Sequence, residues 1–195
     1  MTARQMSFFS ASARPLRPDD VEGLLCGPGQ VVRRPDAARV SVVVADAWRV
    51  APLVDALHAA GVAAEAAPAH EAEMAVRTAF EPGLIALADA WQRAGAKRAP
   101  ANLTLDGPRL RFWALAAGRR DNVGYVLGLA PTDEAVWPAV GGALSAAGLA
   151  AVFVGPRADG PAYRITGARR LDRFRELIGD RPEGVPARGW VGDDA

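Results

Sequence analysis

The sequence predicts an α+β fold of two similar units, each with the element order αββαββα. Three observations predict it. Residues 56–64 match residues 143–151 at seven of nine positions. Two helix-forming segments each end in a glycine, at Gly29 and at Gly118. Strand and helix patterns then follow in the same order in both halves. We therefore expect two pseudo-symmetric units with antiparallel, saddle-shaped sheets, whose first helices pack together at the centre.

The first unit is predicted to begin with a helix that Asp19 and Asp20 cap and that Pro28 and Gly29 end. Two runs rich in β-branched residues follow and form a hairpin across Pro35. The periodicity then predicts a helix that Gly61 closes, two weaker strands, and a further helix that begins at a proline. The expected strands are 30–34, 39–45, 62–67 and 73–79, and the expected helices are 46–60 and 82–93.

The second unit is predicted to repeat this order after a linker. We expect helices over 107–117, 132–147 and 168–178, and strands over 123–129, 150–154 and 162–166. The whole chain then divides into five segments with different expected behaviour. They are a flexible basic arm (1–18), the first unit (19–97), a linker (98–105), the second unit (106–180) and a poorly ordered Gly/Pro-rich tail (181–195).

The composition limits the classes of function that are open to the chain. The 195 residues include 23 basic and 22 acidic ones, for a net charge of +1, which argues against a strongly basic nucleic-acid-binding protein. Lys97 is the one lysine, so the other basic residues are arginines, which can bind phosphate or guanine. The single cysteine excludes an intramolecular disulfide. Neither a membrane span nor a signal peptide is recognisable, and a cytoplasmic monomer with no small-molecule substrate is expected.

The segment Val21–Gly29 resembles the signature Leu-Ala-Gly-Leu-Ile-Asp-Ala-Asp-Gly. Gly23, Leu24 and Gly29 keep the signature residues. Cys26 and Pro28 occupy the two positions at which the signature has aspartates. The glycines for helix packing are therefore present in this segment, and the acids are absent.

Further motifs in the second half resemble the second unit of LAGLIDADG homing endonucleases. They occur in order: Lys97-Arg98-Ala99-Pro100, a helix ending at Gly118, a strand opening Gly124-Tyr125, then Tyr163-Arg164-Ile165 and the helix segment Phe174–Gly179. The resemblance covers about residues 19–190. It is closest to the monomeric, two-repeat type of this family.

This resemblance implies a site whose chemistry the chain lacks. In the family, the last acid of each central helix binds divalent metal, usually magnesium, for phosphodiester cleavage. Those positions are Pro28 and Ala117 here, and the adjacent acid of the second motif is Ala116. We therefore expect a pseudo-endonuclease with no metal and no other cofactor. Asp121 is the one acid that offers a remnant of such a site, so an active metal-dependent endonuclease is the third and most distant alternative.

The resemblance also implies duplex DNA as a partner, bound by the outward side chains of the strands. The residues expected to contact DNA are Gln30, Arg33, Arg34, Arg39, Ser41, Lys97, Tyr125 and Arg164. Arg157, Arg169 and Arg170 are additional candidates, for which an ordinary solvated surface is an equal alternative. The apolar run Val42–Val44 supports a different function, in which the former DNA saddle binds a protein partner.

Overall fold

The first central helix is short and buried. In the computed structural model, which describes residues 10–12, 14–70, 72–155 and 160–192, a single 3₁₀ turn at Pro18–Val21 leads into α1, Glu22–Cys26. Proline suits this turn because the first N–H groups of a helix have no partner within it. The helix ends at Gly27, and the Gly29 N–H donates to the Leu24 carbonyl, 2.9 Å away.

The first half contains a four-stranded antiparallel sheet with helices against one face. Its strands are β1 (Gln30–Arg33), β2 (Ala38–Val44), β3 (Ala64–Pro68) and β4 (Met74–Thr78), in the spatial order β1-β2-β4-β3. Two helices are each preceded by a 3₁₀ turn: α2 (Val50–Ala59) and α3 (Ile85–Trp91). Alternate residues of β2, namely Val40, Val42 and Val44, are buried toward the helices, which is the period-two pattern of a half-buried strand.

A short hairpin replaces the end of the helix that the sequence predicts over 82–93. That helix ends at Trp91, and strands β5 (Gln92–Arg93) and β6 (Ala96–Lys97) pair antiparallel. Ala94 and Gly95 between them both have positive φ, 51° and 78°, as a two-residue type I′ turn requires. The hairpin places Lys97 on a strand at the end of the first unit, where the sequence predicts no strand.

The second half repeats the topology of the first. It contains α4 (Gly107–Ala117), β7 (Gly118–Arg120), β8 (Gly124–Gly128), α5 (Trp137–Ala146), β9 (Val152–Val154), β10 (Ala162–Thr166) and α6 (Ala168–Ile178). The strand order β7-β8-β10-β9 is that of the first sheet. The predicted α+β fold with antiparallel sheets is thereby confirmed. Strand β7 is absent from the sequence prediction because Gly-Arg-Arg carries no β-branched residue. The segment bounds at 97/98 and 105/106 stay predictions.

The two central helices pack closely through glycine. A Cβ atom on Gly23 of α1 would overlap the backbone carbonyl oxygen of Arg109 in α4. A Cβ atom on Gly27 would lie 2.6 Å from the Trp113 Nε1 atom, which itself donates to the Gly128 carbonyl. The predicted pair of packed central helices is therefore present, and only glycine permits this approach of the two backbones.

The first and last described segments contact the core. Arg14, in the predicted flexible arm, donates to both carboxylate oxygens of Asp20 and to Asp106, although residues 1–9 and 13 of that arm lie outside the described part. In the predicted tail, Val185, Trp190 and Val191 are buried, and the Trp190 indole N–H donates to the Gly179 carbonyl. The expected poor order of residues 181–195 stays a prediction.

None of the described helices has both the length and the apolar composition needed to cross a lipid bilayer.

Candidate nucleic-acid interface

Each sheet has one face against the helices and one face turned outward. On the outward face of the first sheet, one row of cross-strand neighbours runs Gln30, Ser41, Arg77, Glu65. On the second sheet, the corresponding row runs Arg119, Val126, Arg164, Val152. Arg77 and Arg164 occupy the same place in the two rows, since each lies on the strand next to the edge. The two rows therefore occupy equivalent places in the two sheets, and each carries an arginine near its middle, although Val126 in the second row is buried.

An aromatic ring holds two arginines at one end of the first sheet. The guanidinium carbon of Arg34 lies 3.6 Å from the centroid of the Phe80 ring, and that of Arg39 lies 4.4 Å from it. Stacking on an aromatic face leaves the planar N–H groups of a guanidinium available for further bonds. This Arg34–Phe80–Arg39 group is a preformed positive surface.

Five of the predicted contact residues lie on the outward faces of the two sheets or beside them. Arg39 and Ser41 are two residues apart on β2 and so share its outward face. Gln30 is the cross-strand neighbour of Ser41, and Arg34 directly follows β1. Arg164 lies on the second sheet, where its Nε atom is 2.7 Å from an Asp121 carboxylate oxygen. The structure thus brings the first-sheet residues together and places Arg164 at the equivalent position across the molecule.

Two predicted contact residues point the other way. Arg33 follows the alternation of β1 onto the helix side, where its Nε atom is 3.0 Å from Asp89 on α3. Tyr125 is fully buried, its ring packs 5.1 Å from that of Phe174, and its hydroxyl donates to the Gly189 carbonyl. Burial raises the pKa of this phenol. The Arg33 and Tyr125 side chains are therefore absent from the outward faces, because strand register turns them inward.

Arg77 and Arg119 are outward residues that sequence reasoning did not select. Arg77 aligns with Arg164 at the repeat spacing of 87 residues, which is the signal that could have identified it. Arg119 lies on β7, a strand that propensity alone does not reveal. Of the additional candidates, Arg169 and Arg170 begin α6 on the helix side, and Arg157 lies outside the described residues.

Lys97 lies at the centre of the molecule with its ammonium fully engaged. Its side chain is 5% exposed, and Nζ donates to the carbonyls of Gly27 (2.9 Å) and Gly29 (2.7 Å) and to Asp133 Oδ2 (2.9 Å). An ammonium has three N–H donors, and these three acceptors use all of them. Burial lowers its pKa, and the bond to Asp133 opposes that shift.

Arg49 has the matching place at the end of α4. This buried residue donates from Nη1 to the Leu115 carbonyl (2.9 Å) and from Nη2 to the Gly118 carbonyl (2.8 Å). The last carbonyls of a helix have no partner within it and carry partial negative charge. Burial lowers the pKa of this guanidinium, and Asp46, 3.2 Å from Nε, opposes that effect.

A solved structure has a similar fold. The structure titled "The homing endonuclease I-WcaI bound to its DNA recognition sequence" is similar over 87% of this chain and 84% of that chain, with a TM-score of 0.58 and 11% identity. This chain has a homing-endonuclease-like fold. I-DmoI "in complex with DNA and Mn" matches with a TM-score of 0.45 and 10% identity, over 84% of this chain and 98% of that one. No protein-family model matches the sequence, and no curated protein matches it.

The centre of this homing-endonuclease-like fold does not fit a magnesium ion. Magnesium needs oxygen ligands, and the side chains at the two expected acid positions, Pro28 and Ala117, have none. The carbonyls that flank Pro28 already accept bonds from the Lys97 ammonium. Across the described ranges, no three His, Cys, Asp or Glu side chains form a group that could hold a metal.

Asp121 is held in a turn rather than presented toward the centre. It accepts the backbone N–H groups of Val123 and Gly124 and pairs with Arg164. Partial burial alone would raise the pKa of this carboxyl. The two backbone bonds and the Arg164 guanidinium outweigh burial and lower the pKa below its ordinary value of 3.8. These contacts use the oxygens that a metal would need.

Isolated valines interrupt the polar surface. Val42 and Val44 are buried against the helices, so only Val43 of the predicted apolar run faces outward, at 46% exposure. Val32 and Val152 are also exposed on outward faces. Arg39 and Ser41 separate Val32 from Val43 along the sheet, so these valines form no continuous apolar patch on the first sheet.

Proposed function

We propose that this protein binds duplex DNA through the outward faces of its two sheets and does not cleave it. The supporting observation is the equivalence of the two rows, with Arg77 and Arg164 at matching places on a homing-endonuclease-like fold. A pseudo-two-fold pair of basic surfaces suits the two halves of a duplex site. Phosphate contacts by such arginines supply most of the sequence-independent affinity for DNA.

The first sheet is expected to carry the larger share of this affinity. The Arg34–Phe80–Arg39 group adds two guanidinium groups to that half. On the second sheet, the Asp121 carboxylate partly neutralises Arg164. Because the net charge of the chain is only +1, binding depends on this local arrangement of charge.

The test is DNA binding measured as a function of salt, with neighbouring arginines as a matched pair. Fluorescence anisotropy with random-sequence duplexes is expected to show salt-dependent binding by the wild type. Arg39→Ala removes an outward guanidinium, so it weakens binding to all sequences and lowers the slope of log K against log salt by about one. Arg33→Ala removes the same charge from the helix side and leaves the slope unchanged. Absence of wild-type binding at low salt would refute the proposal.

The absence of cleavage needs a separate measurement. Supercoiled plasmid incubated with the protein and Mg²⁺ or Mn²⁺ is expected to stay intact, because Pro28 and Ala117 supply no ligands. Cleavage by the wild type that Asp121→Asn abolishes would support the third alternative, an active endonuclease, and would end the proposal of a pseudoenzyme.

A protein-interaction scaffold is the second candidate function. The exposed valines Val32, Val43 and Val152 favour it, because they place apolar side chains on the outward faces of both sheets. Val43→Ser is expected to weaken binding to a protein partner and to leave duplex affinity nearly unchanged. Equal loss of duplex affinity in Val43→Ser and Arg39→Ala would assign this surface to DNA instead.

A further inference from the structure

Each central helix ends against a buried cation from elsewhere in the chain. Lys97 caps the end of α1 and bonds across to Asp133, which lies between β8 and α5 in the second half. Arg49, in the first half, caps the end of α4 in the second half. Both cations therefore join the two halves at the helix ends, where the family resemblance places metal-binding acids.

The atoms around Lys97 form the kind of oxygen set that binds a metal cation. Two backbone carbonyl oxygens and one carboxylate oxygen converge on Nζ at 2.7–2.9 Å. Gln30 donates from Nε2 to the same Asp133 oxygen at 2.9 Å and so fixes the carboxylate. Oxygen ligands of these types hold calcium and magnesium in proteins. Here a protein ammonium occupies the position of the ion.

We infer that Lys97, with Arg49, supplies the positive charge at the centre of the molecule in place of a divalent metal and joins the two halves. Helix C-termini attract cations because their free carbonyls carry partial negative charge. A metal ion at the same oxygens would meet the Lys97 charge at close range in a largely buried site, which is strongly unfavourable. The Lys97 ammonium thus neutralises these oxygens, and they need no metal ion. The contact between the two halves can be tested by thermal unfolding of the protein without DNA.

The first test uses the wild-type protein without substitution. Thermal unfolding is followed in MgCl₂, CaCl₂ or MnCl₂ and in NaCl of equal ionic strength. We expect the same Tm in all four salts. A site with a Kd a hundredfold below the ion concentration would raise Tm by about 5 to 10 °C. A rise of that size with a divalent ion, relative to NaCl, would overturn the inference.

The second test empties the ammonium position. Lys97→Ala leaves the carbonyls of Gly27 and Gly29 and the Asp133 carboxylate without their cation. Because breaking a buried ion pair strands the remaining charge, Tm is expected to fall by on the order of 10 °C. Solvent ions can enter, since Lys97 and Asp133 line an open cavity of about 590 Å³. Ca²⁺ is therefore expected to restore part of the lost Tm.

Two further variants control this experiment. Lys97→Ala/Asp133→Ala lacks the carboxylate, so Ca²⁺ is expected to restore nothing. Arg98→Ala removes an exposed neighbouring charge that donates to the Lys97 carbonyl, and its Tm is expected to stay within about 2 °C of wild type. A Lys97→Ala variant with undiminished Tm, or one that Ca²⁺ does not restore, contradicts the inference. If Lys97→Ala does not fold, Asp133→Asn serves in its place. An unchanged Tm in Asp133→Asn would contradict the inference that the Lys97–Asp133 pair joins the two halves.

Discussion

Gly23 lies where the backbone of α1 meets the backbone of α4, so Gly23→Ala tests the packing of the two halves. The added Cβ would overlap the Arg109 carbonyl oxygen. The backbone of α1 fixes the position of the Cβ atom and the oxygen that it meets is main chain, so no side-chain rotation relieves the overlap. The helices must therefore move apart, and the buried residues around them lose contact.

The expected loss follows from two opposing effects. Overpacking a well-packed core destabilises a protein by about 1–3 kcal/mol, and an overlap with backbone belongs at the upper end of that range. Alanine is about 1 kcal/mol more favourable than glycine in a helix, which offsets part of the loss. The net destabilisation is about 2 kcal/mol. For a chain of this size, that lowers Tm by about 4 to 8 °C.

The assay is urea denaturation, together with a matched glycine in another helix. Gly142 also lies inside a helix, α5, but a Cβ added there meets no heavy atom within 4 Å. Gly142→Ala is therefore expected to stabilise the protein by about 0.5–1 kcal/mol. If Gly23→Ala unfolds at the wild-type urea concentration or above it, the close approach of α1 and α4 does not hold.

Three further outcomes follow from contacts in the structure. Trp190→Ala removes a buried indole beneath the last described segment, and urea denaturation is expected to show a loss of about 3–5 kcal/mol. Tyr125→Phe removes only the hydroxyl that donates to Gly189, so the same measurement should give a loss of about 1 kcal/mol; no loss would argue against that bond. Asp121 has a lowered pKa, so its stabilising effect is present above pH 3.8 and is lost as pH falls through the lower folded value. Carboxyl NMR should show its titration midpoint below 3.8, and a midpoint above that value would contradict the pairing with Arg164.

Local patterns in the sequence predicted most of the order of helices and strands in the chain. Glycines at 23, 29 and 118 mark close packing and helix ends, and alternation along residues 39–44 identifies a half-buried strand. These signals involve neighbours within a few residues, so they are readable without a structure. The identities of Pro28 and Ala117, at the positions where the resemblance places acids, are equally local.

The sequence prediction missed elements whose local sequence does not favour the structure that they adopt. Strand β7 has no β-branched residue, and the β5–β6 hairpin occupies residues 92–97, for which the sequence predicts the end of a helix and no strand. The burial of Trp190 depends on its reaching Gly179 across a turn, a contact that composition does not encode. In each case, tertiary contacts outweigh local propensity.

The sequence by itself predicted that the chain folds as two repeats around paired helices, and its family resemblance predicted that Pro28 and Ala117 stand where the family has metal-binding acids. Only the tertiary structure decided which side chains face outward: Arg34 and Arg39 do, whereas Arg33 and Tyr125 do not. It also brought Lys97 to Asp133 and Arg49 to Gly118. The physical reason is that a strand side chain changes face with each residue, and that such long-range pairs form only when the two halves pack.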